Sequence, residues 1–276
     1  MDKNKVRILV ACHKPDKVYQ DDVYTPIHVG RAVSKFKDEM SNMIGDDTGD
    51  NISNKNPYYC ELTAIYWAWK NIDSEYIGLC HYRRYFETKI TPENVKKLLE
   101  RKDALCIHPL NERKTVASRL VEATCLEDFQ IFMSCIKKIQ PEYYESALKF
   151  VKGHTVVPFN MFVMKKELFD NYCSWMFPIL FEMEKYVKLS GYTRARRVYG
   201  YFAEMLLPIY LITNKYKMKY DECVSMVGDR HKSEIVRPFR DIYNNIFMSF
   251  LFERTLLNCN DVLTGMKNDG INLELV

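Results

Sequence analysis

Apolar and polar positions along this chain fall into blocks whose period changes from one block to the next. Val6 to Cys12 (VRILVAC) is β-branched and almost continuously apolar, the pattern of a buried strand. His13-Lys14-Pro15 ends it, with Pro15 stopping the ladder. Asn56-Pro57 predicts a helix start, Asn56 as N-cap and Pro57 in the first helical position. Leu62, Ile65, Tyr66 and Trp69 then recur at i, i+3, i+4 and i+7, one apolar face. Trp67 lies off that face, so one of the two tryptophans packs elsewhere or meets a ligand. Asn71 to Ser74 closes the helix, and Tyr76 to Cys80 is a second short apolar run. Strand, helix, strand in this order predicts a parallel sheet.

The same reading continues to the end of the chain. Glu93 to Arg101 is an amphipathic helix and Asp103 to Leu110 a strand. Leu126 to Ile139 and Glu142 to Val151 are helices separated by Pro141, the second ended at Gly153. Val156 to Met164 is a strand, Glu167 to Leu189 a long helix with Pro178 inside it, and Lys217 to Val227 a last strand. Phe239 to Cys259 reads as a helical tail with an apolar face of Ile242, Ile246, Phe247, Phe250 and Leu251, for core padding, a homodimer contact or a membrane surface. The expected organisation is one α/β domain over 1–230 and a helical extension over 231–276.

Composition narrows the function classes. With 276 residues, 47% hydrophobic and 28% charged, the chain has enough apolar material for a large α/β core. The net charge of +4 is too small to imply nucleic acid, and neither a long Lys/Arg block nor a nucleic-acid module is present. Nine cysteines without a CxxC pair, and no secretory signal at the N-terminus, fit reduced thiols in a cytoplasmic protein. No uncharged apolar stretch reaches membrane-spanning length; Val198 to Ile212 contains Glu204 and Pro208.

Candidate chemistry gathers where the second strand ends. YIGLCHYRRYF (Tyr76 to Phe86) turns from apolar to His81, Tyr82, Arg83, Arg84 and Tyr85 within five positions. Ligands of open α/β sheets sit beyond the carboxyl ends of the strands, and adjacent guanidiniums suit a phosphate or carboxylate. A solvated strand end covered by aromatics is the plainer reading. His13 and Lys14, at the end of the first strand, either touch a nucleotide or belong to loop surface. Ile44 to Ser53 is an acidic, glycine-containing loop whose Asp46 and Asp47 suit a divalent cation, although EF-hand spacing is missing. Glu61 near the helix start either favours the helix dipole or faces the site. Asn160, inside an apolar run, needs a partner in the backbone or a substrate. Glu204, also in an apolar run, is either paired with Arg194, Arg196 or Arg197 or serves as a general base.

Four ordered phrases, Asn51 to Asn71, Tyr76 to Phe86, Pro158 to Leu180 and Arg197 to Leu211, resemble a bacterial capsular and exopolysaccharide synthesis family. Characterised members of that family are β-galactofuranosyltransferases, and the resemblance covers roughly residues 5 to 225. It implies an α/β fold similar to the glycosyltransferase type A architecture, a single sandwich with a mixed, mainly parallel sheet. It also implies a UDP-linked sugar donor and a glycan or undecaprenyl-diphosphate-linked acceptor, at the cytoplasmic side of the membrane. Where many such enzymes carry Asp-x-Asp for a metal, this chain has His81-Tyr82-Arg83-Arg84, so a metal-independent clamp is expected, with Mn or Mg through Asp46 or Asp47 as the other option. The expected reaction is one inverting displacement. Glu204 is the first choice of base, followed by Asp47 and Glu61. Arg83 and Arg84 form the clamp with His81 beside it. Asn160 and Trp69 are expected at the sugar or acceptor, and Arg194 and Arg197 at the acceptor diphosphate. A non-catalytic nucleotide- or glycan-binding subunit and a phosphotransferase are the alternatives.

Overall fold

A computed structural model describes residues 5–225, 260–271 and 273–274. In chain order the first elements are β1 (Val6–Cys12), β2 (Tyr24–His28), β3 (Ile44–Gly45), α1 (Asn56–Tyr59), α2 (Leu62–Asn71), β4 (Tyr76–His81) and β5 (Arg84–Phe86). They are followed by α3 (Val95–Leu98), β6 (Ala104–Ile107), β7 (Leu110–Asn111), α4 (Val116–Ala123), α5 (Leu126–Ile139) and α6 (Tyr144–Val151). The remainder is β8 (Thr155–Val156), β9 (Phe162–Lys165), α7 (Lys166–Met183), α8 (Val198–Thr213), β10 (Met218–Asp221), β11 (Cys223–Ser225) and α9 (Asn260–Asn268). The expected tail helix over Phe239 to Cys259 lies outside the described residues.

Two units divide these elements, and neither is continuous in sequence. The first comprises Met1–His108, Val157–Ser174 and Asn214–Arg230; the second comprises Pro109–Val156, Trp175–Thr213 and His231–Val276.

The first unit is built on a mixed, mainly parallel sheet in the order β10-β6-β9-β4-β1-β2-β3, with β5 and β11 branching from β4. β1 pairs in parallel with β2 and β4, while β9 runs antiparallel between β4 and β6. Gly78 in β4 permits the close approach of β9, because a Cβ there would lie 2.8 Å from the Phe162 carbonyl oxygen and 2.9 Å from Val163 Cγ2. Ile8, Val10, Cys12, Cys80, Leu105 and Val163 are all buried in one core on this sheet. Burial pushes the Cys12 thiol up to about 12, and it raises Cys80 further. These thiols stay protonated and behave as small apolar side chains.

The helical unit packs α4, α5, α6 and α8 around aromatic contacts. Phe132 of α5 stacks on Phe202 of α8 at 4.5 Å, and Tyr143, Trp175 and Tyr210 form a second cluster. β7 and β8 make a separate two-stranded ribbon. Pro178 and Pro208 lie inside α7 and α8.

Several expected elements are broken where the sequence reads as continuous. The helix from Pro57 stops at Tyr59 and restarts at Leu62, because Cys60 takes φ 54°, ψ −130°. The strand expected over Val156 to Met164 is interrupted by Phe159 (φ 77°) and Asn160 (φ 51°). The last strand divides at Glu222 into β10, which joins β6, and β11, which joins β5. On α2 the buried side chains include Trp67 along with Leu62 and Ile65, while Tyr66 and Trp69 are half-buried. The Trp67 indole donates to Thr48 Oγ1 at 3.0 Å, which satisfies its polar edge inside the fold.

Candidate active site

The parallel strands of the first unit all finish on one edge of the sheet. Register places Cys12 beside His28, His28 beside Gly45, and Ala11 beside His81. β9 begins on that same edge, since Leu79 pairs with Phe162. The edge therefore collects His13 and Lys14, the turn after His28, Asp46 and Asp47, the hairpin after His81, and the Phe159-Asn160 turn.

The YRRY stretch is a tight hairpin. His81 pairs with Arg84 across it, leaving Tyr82 and Arg83 as its two turn residues. Arg83 is held by Asp16, through Nε at 2.7 Å and Nη2 at 2.6 Å. The bond from Arg83 holds the Asp16 carboxyl below the usual carboxylate range. Arg83 also lies over the Tyr82 ring, which meets His13 edge-on at 5.3 Å. Arg84 is different: it is exposed, its guanidinium sits 4.4 Å from the Phe159 ring centroid, and it has no carboxylate partner among the described residues. A cation stacked on an aromatic face keeps its in-plane donors for another ligand. His81 Nε2 is 2.7 Å from the Phe159 carbonyl oxygen. A carbonyl only accepts, so Nε2 carries the proton.

Phe159 and Asn160 both occupy the left-handed region, which is costly for a phenylalanine and better tolerated by asparagine. Such backbone strain is concentrated at functional sites. The turn directs the Asn160 amide to Glu61, with Nδ2 donating to Oε1 at 2.7 Å, and both side chains are buried. Glu61 directly follows the other strained residue, Cys60, and opens α2. Two strained turns thus hold one buried carboxylate and one buried amide in contact. His81 and Arg84 are tied to the same turn through Phe159.

The acidic loop has a specific internal job. Asp46 is fully buried, and its carboxylate accepts from Gly30 N at 2.7 Å, Arg31 N at 3.1 Å and the Ser53 hydroxyl. Asp47 accepts from Arg31 Nε at 2.7 Å. Arg31 crosses Gly45, where a Cβ would stand 2.1 Å from its Nε. Beside them His28 is buried with neither ring nitrogen hydrogen-bonded, and desolvation lowers its pKa. Among the described residues no group of three His, Cys, Asp or Glu side chains is placed to hold a metal ion.

The remaining candidates lie elsewhere. Trp69 is stacked under the Lys70 ammonium at 3.4 Å and against Tyr66, on α2. Glu204 is half-buried on α8, and Arg194, Arg196 and Arg197 occupy the turn before that helix; all four belong to the helical unit. Arg194 donates to the Glu122 carbonyl at 3.2 Å. Asp16, His28, Arg31 and Phe159 were not apparent from the sequence as parts of this edge. A loop aspartate and a strand-end histidine carry no local signal of their partners.

Comparison with known proteins agrees with this architecture. The sheet and its helices match a solved glycosyltransferase: the apo structure of WbbM, described as a bifunctional glycosyltransferase, superposes with a TM-score of 0.71 at 28% sequence identity over 84% of this chain. The match covers 48% of that protein, so this chain spans about half its length. The family described as "Domain of unknown function (DUF4422)" matches residues 7–215, and the chain belongs to it. No curated protein matches the chain. No helix among the described residues is long and apolar enough to cross a membrane.

Proposed function

We propose that this protein is a glycosyltransferase that moves a hexose, galactofuranose from its UDP-linked donor, onto a galactoside or lipid-linked acceptor in surface polysaccharide synthesis. The reading is supported by the similarity to half of a bifunctional glycosyltransferase and by the resemblance of the four ordered phrases. The observation that carries it is the gathering, on one sheet edge, of Arg84, without a carboxylate partner among the described residues, a proton-bearing His81 Nε2 and a buried Glu61 held by Asn160.

In this mechanism the acceptor hydroxyl attacks the anomeric carbon while the bond to the nucleoside diphosphate breaks, inverting the configuration. Arg84 binds the departing diphosphate, with His81 fixing the turn on which it rests. Preorganised cations aimed at developing negative charge contribute the largest share of such catalysis. Arg83 serves mainly to brace the hairpin against Asp16. Glu61 takes the acceptor proton through Oε2, with Oε1 fixed by the amide. Asp47 is the weaker candidate because Arg31 already neutralises it. Glu204, in the helical unit, is the competing base. Lys14 and His13, on the same sheet edge, contribute to nucleotide contact. A divalent ion, if recruited, would approach through Asp47, because Asp46 is occupied with the Gly30-Arg31 turn.

The purified chain is incubated with UDP-galactofuranose and a synthetic galactoside, and UDP release and product mass are followed. Turnover that is lost in Glu61→Gln and kept in Glu204→Gln supports the assignment; the reverse pattern moves the base to Glu204. Binding of the nucleotide with no turnover of any furanose or pyranose donor would instead favour a non-catalytic binding subunit.

A further inference from the structure

In the helical unit, α7 ends at Met183 and α8 begins at Val198, and the stretch between them is unusual in charge and exposure. It is anchored by buried Val187 and Val198, and it closes with turn bonds from Arg196 N to Tyr192 O and Arg197 N to Arg194 O. Between Glu184 and Arg197 it carries five cations, Lys185, Lys188, Arg194, Arg196 and Arg197, against the single carboxylate of Glu184. That excess equals the +4 of the entire chain. Tyr192 in its middle is 83% exposed, more than any other large hydrophobic side chain described, and Leu189 is 43% exposed. Lys185 and Lys188 pair with Glu182 and Asp269, but both ammonium groups remain largely in water. Such exposed pairs are weak and exchange readily for other anions.

We propose that this stretch docks on an anionic lipid bilayer. Tyr192 and Leu189 enter the headgroup boundary, and Lys185, Lys188, Arg194 and Arg197 meet lipid phosphates. Charge complementarity selects this occupant: a tyrosine places its ring in the apolar boundary and its hydroxyl in water, while long cationic side chains reach outward to the charged layer. Stable attachment needs an apolar and an electrostatic signal together, and both occur here within nine residues, from Leu189 to Arg197. The inference goes beyond glycosyl transfer and does not depend on it.

The test is co-sedimentation of the full chain with phosphatidylcholine vesicles, with and without phosphatidylglycerol. The chain should bind the anionic vesicles at low salt and leave them at high salt. Arg194→Ala/Arg197→Ala should weaken binding by about 5-fold for each cation removed, or about 25-fold. Leu189→Ala/Tyr192→Ala should weaken it as well without changing the melting temperature, because both side chains are exposed. Absence of binding, equal binding to neutral vesicles, or unchanged binding of both variants overturns the proposal. Release by inorganic phosphate in excess of sodium chloride at equal ionic strength also overturns it, since that marks a discrete anion site. Sedimentation is read independently of turnover, so its failure is separable from failure of the transferase reading.

Discussion

Asn160→Asp isolates the contact between the two strained turns. Aspartate is nearly isosteric with asparagine and also tolerates the left-handed conformation at φ 51°, so the backbone is conserved while a donor becomes a second carboxylate. At the observed 2.7 Å, two full charges would repel by about 6 kcal/mol at an effective dielectric of 20. Retaining one proton is cheaper. Holding a carboxyl that ordinarily ionises near 4 protonated at pH 7 costs about 4 kcal/mol, at 1.36 kcal/mol per unit. The resulting O–H···O⁻ bond returns about 1.5–3 kcal/mol. It replaces the Asn160 Nδ2–H···O bond of similar strength, so the net expectation relative to wild type is a loss of about 4 kcal/mol at pH 7. The sign follows from proton counting: the folded variant binds a proton that the unfolded chain has released, so its stability falls as pH rises above the unfolded value. Urea denaturation of wild type, Asn160→Asp and Asn160→Ala between pH 5 and 8 measures this. The aspartate deficit should grow with pH from about 1 kcal/mol near pH 5, and more steeply than the alanine deficit. A pH-independent deficit for aspartate would show that the two side chains are not in contact, and the assignment of Glu61 would go with it.

Three other outcomes are expected. Arg84→Ala should lower kcat by on the order of 10²-fold or more if it stabilises the leaving diphosphate, while Arg83→Ala, which removes the brace to Asp16, should cost less; comparable losses in steady-state assays would contradict the division of roles. Gly78→Ala should destabilise the protein by roughly 1–3 kcal/mol in chemical denaturation, because the new Cβ meets the backbone of β9 and not a mobile side-chain end. Asp128, whose pKa burial raises to about 6, should bind its proton more tightly when folded, so the fold weakens as pH rises from the ordinary carboxylate range to about 6 and stays weakened above it. Asp128→Asn should therefore raise the melting temperature at pH 7.5, with the gain disappearing on acidification, and calorimetry at both pH values checks it.

Elements buried on all sides were the most legible. Val6–Cys12 and Leu126–Ile139 have the bounds that their patterns predict, because an uninterrupted apolar run and a clean helical period each admit one solution. The breaks at Cys60 and Phe159 were not legible, since neither residue type announces a left-handed conformation. The Cys60 turn is held locally, its carbonyl accepting from Asn56 Nδ2 and Thr63 Oγ1, whereas the Phe159 carbonyl meets His81, 78 positions away. Arg83 and Arg84 read as a matched pair, yet the hairpin gives one to Asp16 and the other to Phe159. Asp46 and Asp47 read as a flexible acidic loop, whereas burial and the Arg31 turn make them part of the frame. Asn160 was legible in kind: a polar side chain in an apolar run needed a partner, and it has Glu61.

The sheet's central strand is completed late. Leu79 of β4 waits for Phe162 of β9, which the ribosome adds 83 positions afterwards. At about 5–20 residues per second, the hydrogen-bonding edge of β4 is unprotected for roughly 4 to 17 s of synthesis. During that interval Tyr76-Ile77-Gly78-Leu79-Cys80 is an apolar ribbon available to any passing strand. Nascent-chain aggregation, and the demand for chaperones in heterologous expression, should therefore peak while residues 80–160 emerge and subside once β9 has docked.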